Sequence, residues 1–381
     1  MAFAHGASDL YSGILPFVIF YDVTRAGLPA WCQGVLALLW YLTSSIAQPV
    51  VGAHSDRHGR WWYLPASVAL TAIAISFAAA ATSIGVLAAC VIAGGIGSAV
   101  MHPEAGRYSS LLGGSRRASA ISIFQIGGQV GYGLGPLVAA ALLANGGLAS
   151  VAAMAVPGIV AALAVGVVLP GFARSADLAA PRRTAADAGP APRVDRVAIG
   201  LLVASTSLRY LTGASFAYFL PNLLVARGLS LTATGAIVTA FLIAAAIGLY
   251  AGGAGADRFG AGRVATAGLV LAVPPLLLAL GTHGALTVAA LLVGSVLLSV
   301  QNAPGVALAQ TLLPRNLGTA LGLMNGVAFG IGSAGVALIG VIVTRYGADA
   351  GLIVVSFAPL LAAAAFVVAA RRPQSVTPFR T

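Results

Sequence analysis

Twelve apolar runs, each long enough to cross a bilayer as a helix, take up nearly the whole sequence. A bilayer-crossing helix needs about 20 predominantly apolar residues. Breaks at charge and Pro/Gly clusters leave the runs 2–22, 29–53, 61–81, 84–110, 118–143, 149–171, 197–226, 230–254, 264–281, 284–312, 317–343 and 350–370. Runs such as Leu269–Leu280 and Ala285–Leu298 do not alternate in polarity, as the strands of a membrane barrel would, so the runs are helices. Composition closes the soluble alternative: 8% of residues are charged and 59% hydrophobic, against about 25% charged in an ordinary soluble domain. That excludes a soluble enzyme, a nucleic-acid-binding domain and a disordered protein. A net charge of +11 would otherwise suggest a nucleic-acid partner, but here the positive charges sit in a few short loops. Cys32 and Cys90 both lie in apolar runs, so neither a disulfide framework nor a metal spacing is expected. The apolar N-terminus has no basic leader and no small-residue cleavage site before the next run, so it is read as a span, not a secretory signal.

All twenty basic residues are Arg, and basic residues set orientation. With a cytoplasmic N-terminus, 16 of the 20 fall on the cytoplasmic side. Only Arg25, Arg227 and Arg345 fall outside, and Arg209 falls within a span. The even number of spans then puts both termini in the cytoplasm. Residues 172–196 are the one long polar stretch, rich in Ala, Pro, Arg and Asp, and read as a flexible cytoplasmic linker. The expected organisation is an all-α integral membrane protein of 12 transmembrane helices in two six-helix halves. The first half covers 1–171 and the second 197–370, with a cytoplasmic tail at 371–381.

The second half echoes the first at an offset of about 200 residues. Gly52-x-x-x-Asp56-Arg57-x-Gly59-Arg60 follows the second span, and Gly253-x-x-x-Asp257-Arg258-x-Gly260 follows the eighth. Pro103 matches Pro304, Ser12-Gly13 matches Thr212-Gly213, and Phe124-Gln125 matches Met324-Asn325. Four coincidences at nearly one offset argue for duplication. Two six-helix halves related by an axis along the membrane normal are a transporter architecture, with the substrate site between the halves near the bilayer midplane.

On these residues the sequence resembles the major facilitator superfamily, whose signature is the G-x-x-x-D-R-x-G-R loop between spans two and three. The Gly-rich stretch Gly127–Pro136, with Gly128, Gly131 and Gly135 within it, resembles the fifth-span motif of the superfamily's exporters. A closer resemblance is to the fosmidomycin-resistance family of drug efflux proteins. It is carried by Thr43–Gly52, by His102-Pro103-Glu104-Ala105, by Ser122–Gly128 and by Gln310–Pro314. The resemblance implies the major facilitator fold, export of small toxic compounds, and a latch role for the Asp56 loop in stabilising the outward-open state. The latch comprises Gly52, Asp56, Arg57, Gly59 and Arg60, echoed by Asp257 and Arg258. In the second loop Ala261-Gly262 intervene before Arg263, a departure from the pattern.

Ionisable residues inside spans are costly and carry a functional presumption. Asp9, with His5 one helical turn earlier, Glu104 and His102 are the candidates for carrying a proton. Glu104 also has a structural reading, as an ion-pair partner of Arg107 at i+3. His5 and His102 have another, as groups satisfied at helix interfaces. Asp9 and Arg209 occupy matching repeat positions, so either they pair or they separately bind a proton and an anionic group. A mid-span Arg needs an anion or a carboxylate, which makes Arg209 a cavity candidate. Gln125, Gln129, Tyr132, Asn222 and Asn325 are uncharged candidates for the same cavity. His54 and His58 flank Asp56 at helical spacing, without a further ligand nearby in sequence, and are read as loop histidines.

The expected activity is therefore proton-coupled secondary transport by alternating access in a bacterial inner membrane. A buried carboxylate would take a proton from outside, release the drug, and lose the proton inside. The expected partners are a small-molecule substrate, protons and membrane lipid, with the chain working as a monomer. No cofactor is expected: the sequence has no Lys, hence no G-x-x-x-x-G-K-[ST] nucleotide loop. The alternative is an importer or facilitator of a small metabolite such as a sugar or organic acid.

Overall fold

A computed structural model of the chain describes residues 1–48, 50–51, 54, 60–113, 117–179, 195–313, 320 and 322–372. Among them the chain is helical and has no strand. The helices are α1 (Ala2–Arg25), α2 (Trp31–Tyr41), α3 (Tyr63–Ala78), α4 (Ile84–Gly113), α5 (Arg117–Ala152), α6 (Ala155–Ala179) and α7 (Arg196–Ala226). They continue as α8 (Leu231–Phe259), α9 (Ala261–Gly281), α10 (Gly284–Ser299), α11 (Asn302–Leu312), α12 (Ala328–Ser356) and α13 (Ala358–Arg371). Two wider π-type turns add Leu42–Ile46 after α2 and Gly322–Val327 before α12. Helices are what lipid dictates, because each backbone polar group must be satisfied within its own segment. Large side chains left uncovered, such as Val167 at 81% and Leu338 at 70% exposure, are apolar and suited to lipid.

The elements follow the twelve apolar runs, with α10 and α11 together making one span. The boundaries differ where a helix continues past a turn into the first residues of the next run. In α5 the chain turns at Gly147 (φ 61°), and in α12 at Gly347 (φ 87°), between runs five and six and between eleven and twelve. Gly27 (φ 63°) and Gly228 (φ 85°) turn the chain after α1 and α7. Left-handed φ favours glycine, so these pairs, at offsets of 200 and 201, are further marks of the repeat. At the start of α7, Asp195 accepts the N–H groups of Val197 and Ala198, both at 3.0 Å, and its other oxygen takes Arg372 Nε at 2.7 Å.

The chain forms two compact units. The first contains 1–180, 214–243 and 333–353; the second contains 181–213, 244–332 and 354–381. In the first unit, α1 lies on α5 so closely that only glycine fits. A Cβ on Gly131 would stand 2.1 Å from the Gly6 carbonyl oxygen, and one on Gly135 2.2 Å from the Gly13 carbonyl carbon. Such contact is how small residues let membrane helices associate. The same unit joins α2 to α12 and α5 to α8. Trp31 N–H donates to Thr344 Oγ1 at 2.9 Å, and Leu137 N–H to Thr239 Oγ1 at 3.0 Å. Gly34 lies against Ala337, and Gly235 against Pro136 and Ala140. The second unit packs Leu202, Ala265, Leu308, Met324 and Phe366 into its own core.

Candidate functional site

One helical turn brings His5 and Asp9 to the same face of α1, and Nε2 of His5 lies 3.1 Å from the Asp9 carboxylate. Across the bundle, α4 presents His102, whose Nε2 lies 3.6 Å from the other carboxylate oxygen. His102 precedes Pro103 within α4, where the proline ring disturbs the backbone ladder. Its Nδ1 lies 2.8 Å from the Ser98 carbonyl oxygen. The His5 Nδ1 likewise lies 2.8 Å from the Phe124 carbonyl oxygen on α5. The His5 ring stacks on Phe124 at 4.1 Å and meets His102 edge-on at 5.0 Å. Gly128 completes the seat, since a Cβ there would stand 2.3 Å from the imidazole. His5 is 3% exposed.

These contacts fix the chemistry. A carbonyl only accepts, so each Nδ1 carries a proton and each Nε2 faces the carboxylate. A bare Nε2 lone pair would repel a carboxylate oxygen at 3.1 Å, so the geometry is one that can hold a proton between imidazole and carboxylate. With one proton it is neutral as a whole, and with a second it carries one positive charge. At 4 Å and an effective dielectric near 20, one unit charge acts on another with about 4 kcal/mol, enough to bias the packing of neighbouring helices. The surroundings extend the polar group into α5, where the Tyr132 hydroxyl bonds to that of Tyr41 and lies within electrostatic reach of Asp9 and Tyr218.

The three ligand-type groups, His5, Asp9 and His102, lie within 4.8 Å of one another. Two imidazoles and a carboxylate, each imidazole anchored through its other nitrogen, are also a set that could span a divalent transition metal. Sequence spacing cannot reveal this, because His102 stands far along the chain from Asp9. Tyr41 and Tyr218 were equally invisible: each reads as an ordinary aromatic in an apolar run.

The other candidates sort differently. Glu104 is fully buried, with Arg107 Nη2 at 3.6 Å, the geometry of the structural reading. Gln125 and Gln129 are exposed and Asn325 is half-buried, within the π-type turn before α12. Asn222 keeps a buried Oδ1 without a donor. Arg209, on α7, is 7% exposed, and its buried Nε has no acceptor. Of the Gly-rich stretch Gly127–Pro136, Gly127, Gly131 and Gly135 meet the backbone of α1, Gly128 meets His5, and Pro136 sits in the α5–α8 seam. In the latch, Gly52, Asp56, Arg57 and Gly59 lie outside the described residues, as does His58; Arg60 is exposed, and Asp257 and Arg258 are exposed at the end of α8.

The sequence matches the Major Facilitator Superfamily over residues 1–205 and again over 202–380. It is 33% identical to the fosmidomycin resistance protein of Escherichia coli (strain K12) over 335 residues, 86% of this chain and 81% of that one. It is 28% identical to the uncharacterized MFS-type transporter YfnC of Bacillus subtilis (strain 168) over 371 residues, 95% of this chain and 90% of the other. Among solved structures it is similar to a bacterial homologue of the human lysosomal transporter Spinster, in an inward-facing and unoccupied conformation. The TM-score is 0.79 at 16% identity, covering 97% of this chain and 95% of that one. Identity that low speaks to the fold alone.

Proposed function

Because the chain belongs to the major facilitator superfamily, and is a multi-pass membrane transporter of small molecules rather than an enzyme, we propose that it is a proton-coupled exporter of small toxic compounds. The observation that carries this reading is the His5–Asp9–His102 cluster, three titratable side chains brought together by α1 and α4 inside an apolar bundle. Burying such groups is costly, and a cluster that switches between neutral and singly positive is what proton-driven rearrangement needs. Asp9 accepts the proton from outside, the halves reorient, and the proton leaves to the cytoplasm while the compound has gone the other way. His5 passes the event to α5 through its bond to the Phe124 carbonyl, and α5 carries the seam with α8.

The efflux direction is supported by the relationship to the fosmidomycin resistance protein and by the glycine-paved α1–α5 contact. The distribution of Arg supports a bacterial inner membrane with both termini cytoplasmic. The Asp56 loop and its echo at Asp257 and Arg258 act as the cytoplasmic latch. Arg57 and Arg60 also meet anionic headgroups. The chain works as a monomer.

The test is a set of everted membrane vesicles energised to an acidic interior. A compound panel including fosmidomycin is added while a fluorescent probe follows the pH gradient, in the presence of a metal chelator. Wild type and Glu104→Gln should lose the gradient on addition of a transported compound, and Asp9→Asn should not respond. If labelled compound crosses while no proton moves, the protein is a facilitator. If the chelator abolishes the response and zinc restores it, the cluster is a metal site. Either result overturns the proposal.

A further inference from the structure

We propose that Arg209 is the seat for the negative charge of the transported compound, a small organic anion such as a phosphonate, a phosphate ester or a carboxylate. The inference deepens the transporter reading and rests on it.

The argument begins with the chain's acids. It has nine. Five are ion-paired with other groups: Asp9 with His5 and His102, Asp22 with Arg25, Glu104 with Arg107, Asp195 with Arg372, and Asp349 with Arg227. Asp257 is exposed at the end of α8, Asp177 lies in the last turn of α6, and Asp56 and Asp187 lie outside the described residues. No described ion pair involves Arg209. Yet Arg209 is more than nine-tenths buried, and its Nε has no acceptor. A guanidinium stays protonated at physiological pH, and a buried donor left without an acceptor is unfavourable. Among the described residues no carboxylate pairs with Arg209, so its Nε is open to an anion brought by the compound.

The surroundings suit such a ligand. One turn before Arg209, the Thr206 hydroxyl accepts from Gln301 Nε2 at 3.3 Å, and Gln301 is fully buried with an Oε1 that has no donor. Beside Arg209, Tyr210 stacks on Phe329 at 4.1 Å, an aromatic platform for the compound's carbon skeleton. The planar fork of a guanidinium takes phosphonate or carboxylate oxygens in pairs. Repeat position agrees, because Arg209 stands 200 residues after Asp9, at the corresponding place in the other half. The proton and the substrate anion thus occupy equivalent positions in separate halves.

Binding can be measured without any gradient. Detergent-purified protein is titrated with fosmidomycin, with phenylphosphonate and with the uncharged dimethyl ester of phenylphosphonate, following thermal stabilisation. Wild type should bind the two phosphonates and bind the ester at least tenfold more weakly. Arg209→Gln should lose at least tenfold in phosphonate affinity, Arg209→Lys should fall between, and Arg345→Gln, at an exposed arginine, should bind as wild type does. Equal binding of ester and phosphonate by wild type overturns the inference, even if no Arg209 variant folds. So does Arg209→Gln binding phosphonate normally. A wild type that binds phosphonate but moves no protons contradicts the coupling reading and leaves this one standing.

Discussion

Gly128→Ala tests whether His5 takes part in coupling without touching a titratable group. The new methyl would sit 2.3 Å from His5 Cε1 and Nε2, and an ordinary contact needs at least 3.4 Å. The imidazole must therefore move by about 1 Å. The neighbour is a side chain and not backbone, so the helices can stay where they are. Moving the ring lengthens the 3.1 Å contact to Asp9 beyond hydrogen-bonding range and breaks the 2.8 Å bond to the Phe124 carbonyl. A hydrogen bond to a charged group is worth about 1.5–3 kcal/mol, which is roughly one to two decades in proton occupancy. The expected variant is made in normal amounts, binds phosphonate normally, and loses roughly tenfold or more of its compound-dependent proton flux in everted vesicles. A double-mutant cycle with His5→Asn should show the two changes strongly non-additive, because both act through one imidazole. Wild-type flux from well-expressed Gly128→Ala, or full additivity in the cycle, would refute the role given to His5.

Gly34→Ala should act through backbone instead. Its Cβ would meet Ala337 Cα at 2.6 Å and the Val336 carbonyl oxygen at 2.8 Å, so α2 and α12 must part there. Disulfide yield between cysteines placed at Trp31 and Thr344 should fall severalfold, and an unchanged yield would show that the seam is not held by this contact. Asp195→Ala should unfold at a lower temperature than wild type in detergent at pH 7. The backbone N–H of Ala198, then the Arg372 bond, hold the Asp195 carboxyl below the usual carboxylate range. A group whose folded value is depressed stabilises above its unfolded value, near 3.9, and loses that contribution as pH falls through the folded one. The difference in Tm should therefore shrink below about pH 4, and a difference that grows on acidification contradicts the assignment.

The fold was legible because lipid leaves few choices. Long apolar runs must be helices, and their breaks at Gly and charge clusters are read directly. The breaks read at 144–148 and 344–349 contain Gly147 and Gly347, whose positive φ makes the turns. The site was half legible. Asp9 and His5 share a face by helical spacing. The closure of His102 on Asp9 depends on how α4 packs against α1, which no local pattern encodes. Glu104 shows the converse: the sole Glu in the sequence suggests a special role, but its ion pair with Arg107, one turn along, gives it a local one.

The repeat explains why one position carries opposite charges in the two halves. Duplication starts from equal sequences, so opposite charges at one repeat position mark a later divergence. That divergence ran differently on each side. In the first half Asp9 gained imidazoles at His5 and His102. In the second half the positions matching them, at the offsets of Asp9–Arg209 and Pro103–Pro304, are Ser205 and Ala303, and neither can share a proton. Ser205 instead spends its hydroxyl on the Ala362 carbonyl at 2.8 Å, tying α7 to α13. In the proposed cycle Arg209 is a fixed charge on a braced helix and Asp9 the variable one. A fixed charge can hold a ligand through the cycle, and a variable one can report which side of the membrane supplied the proton. Two identical halves would have had both functions or neither, so the proposed coupling of substrate to proton depends on the asymmetry that the duplicated sequence has acquired.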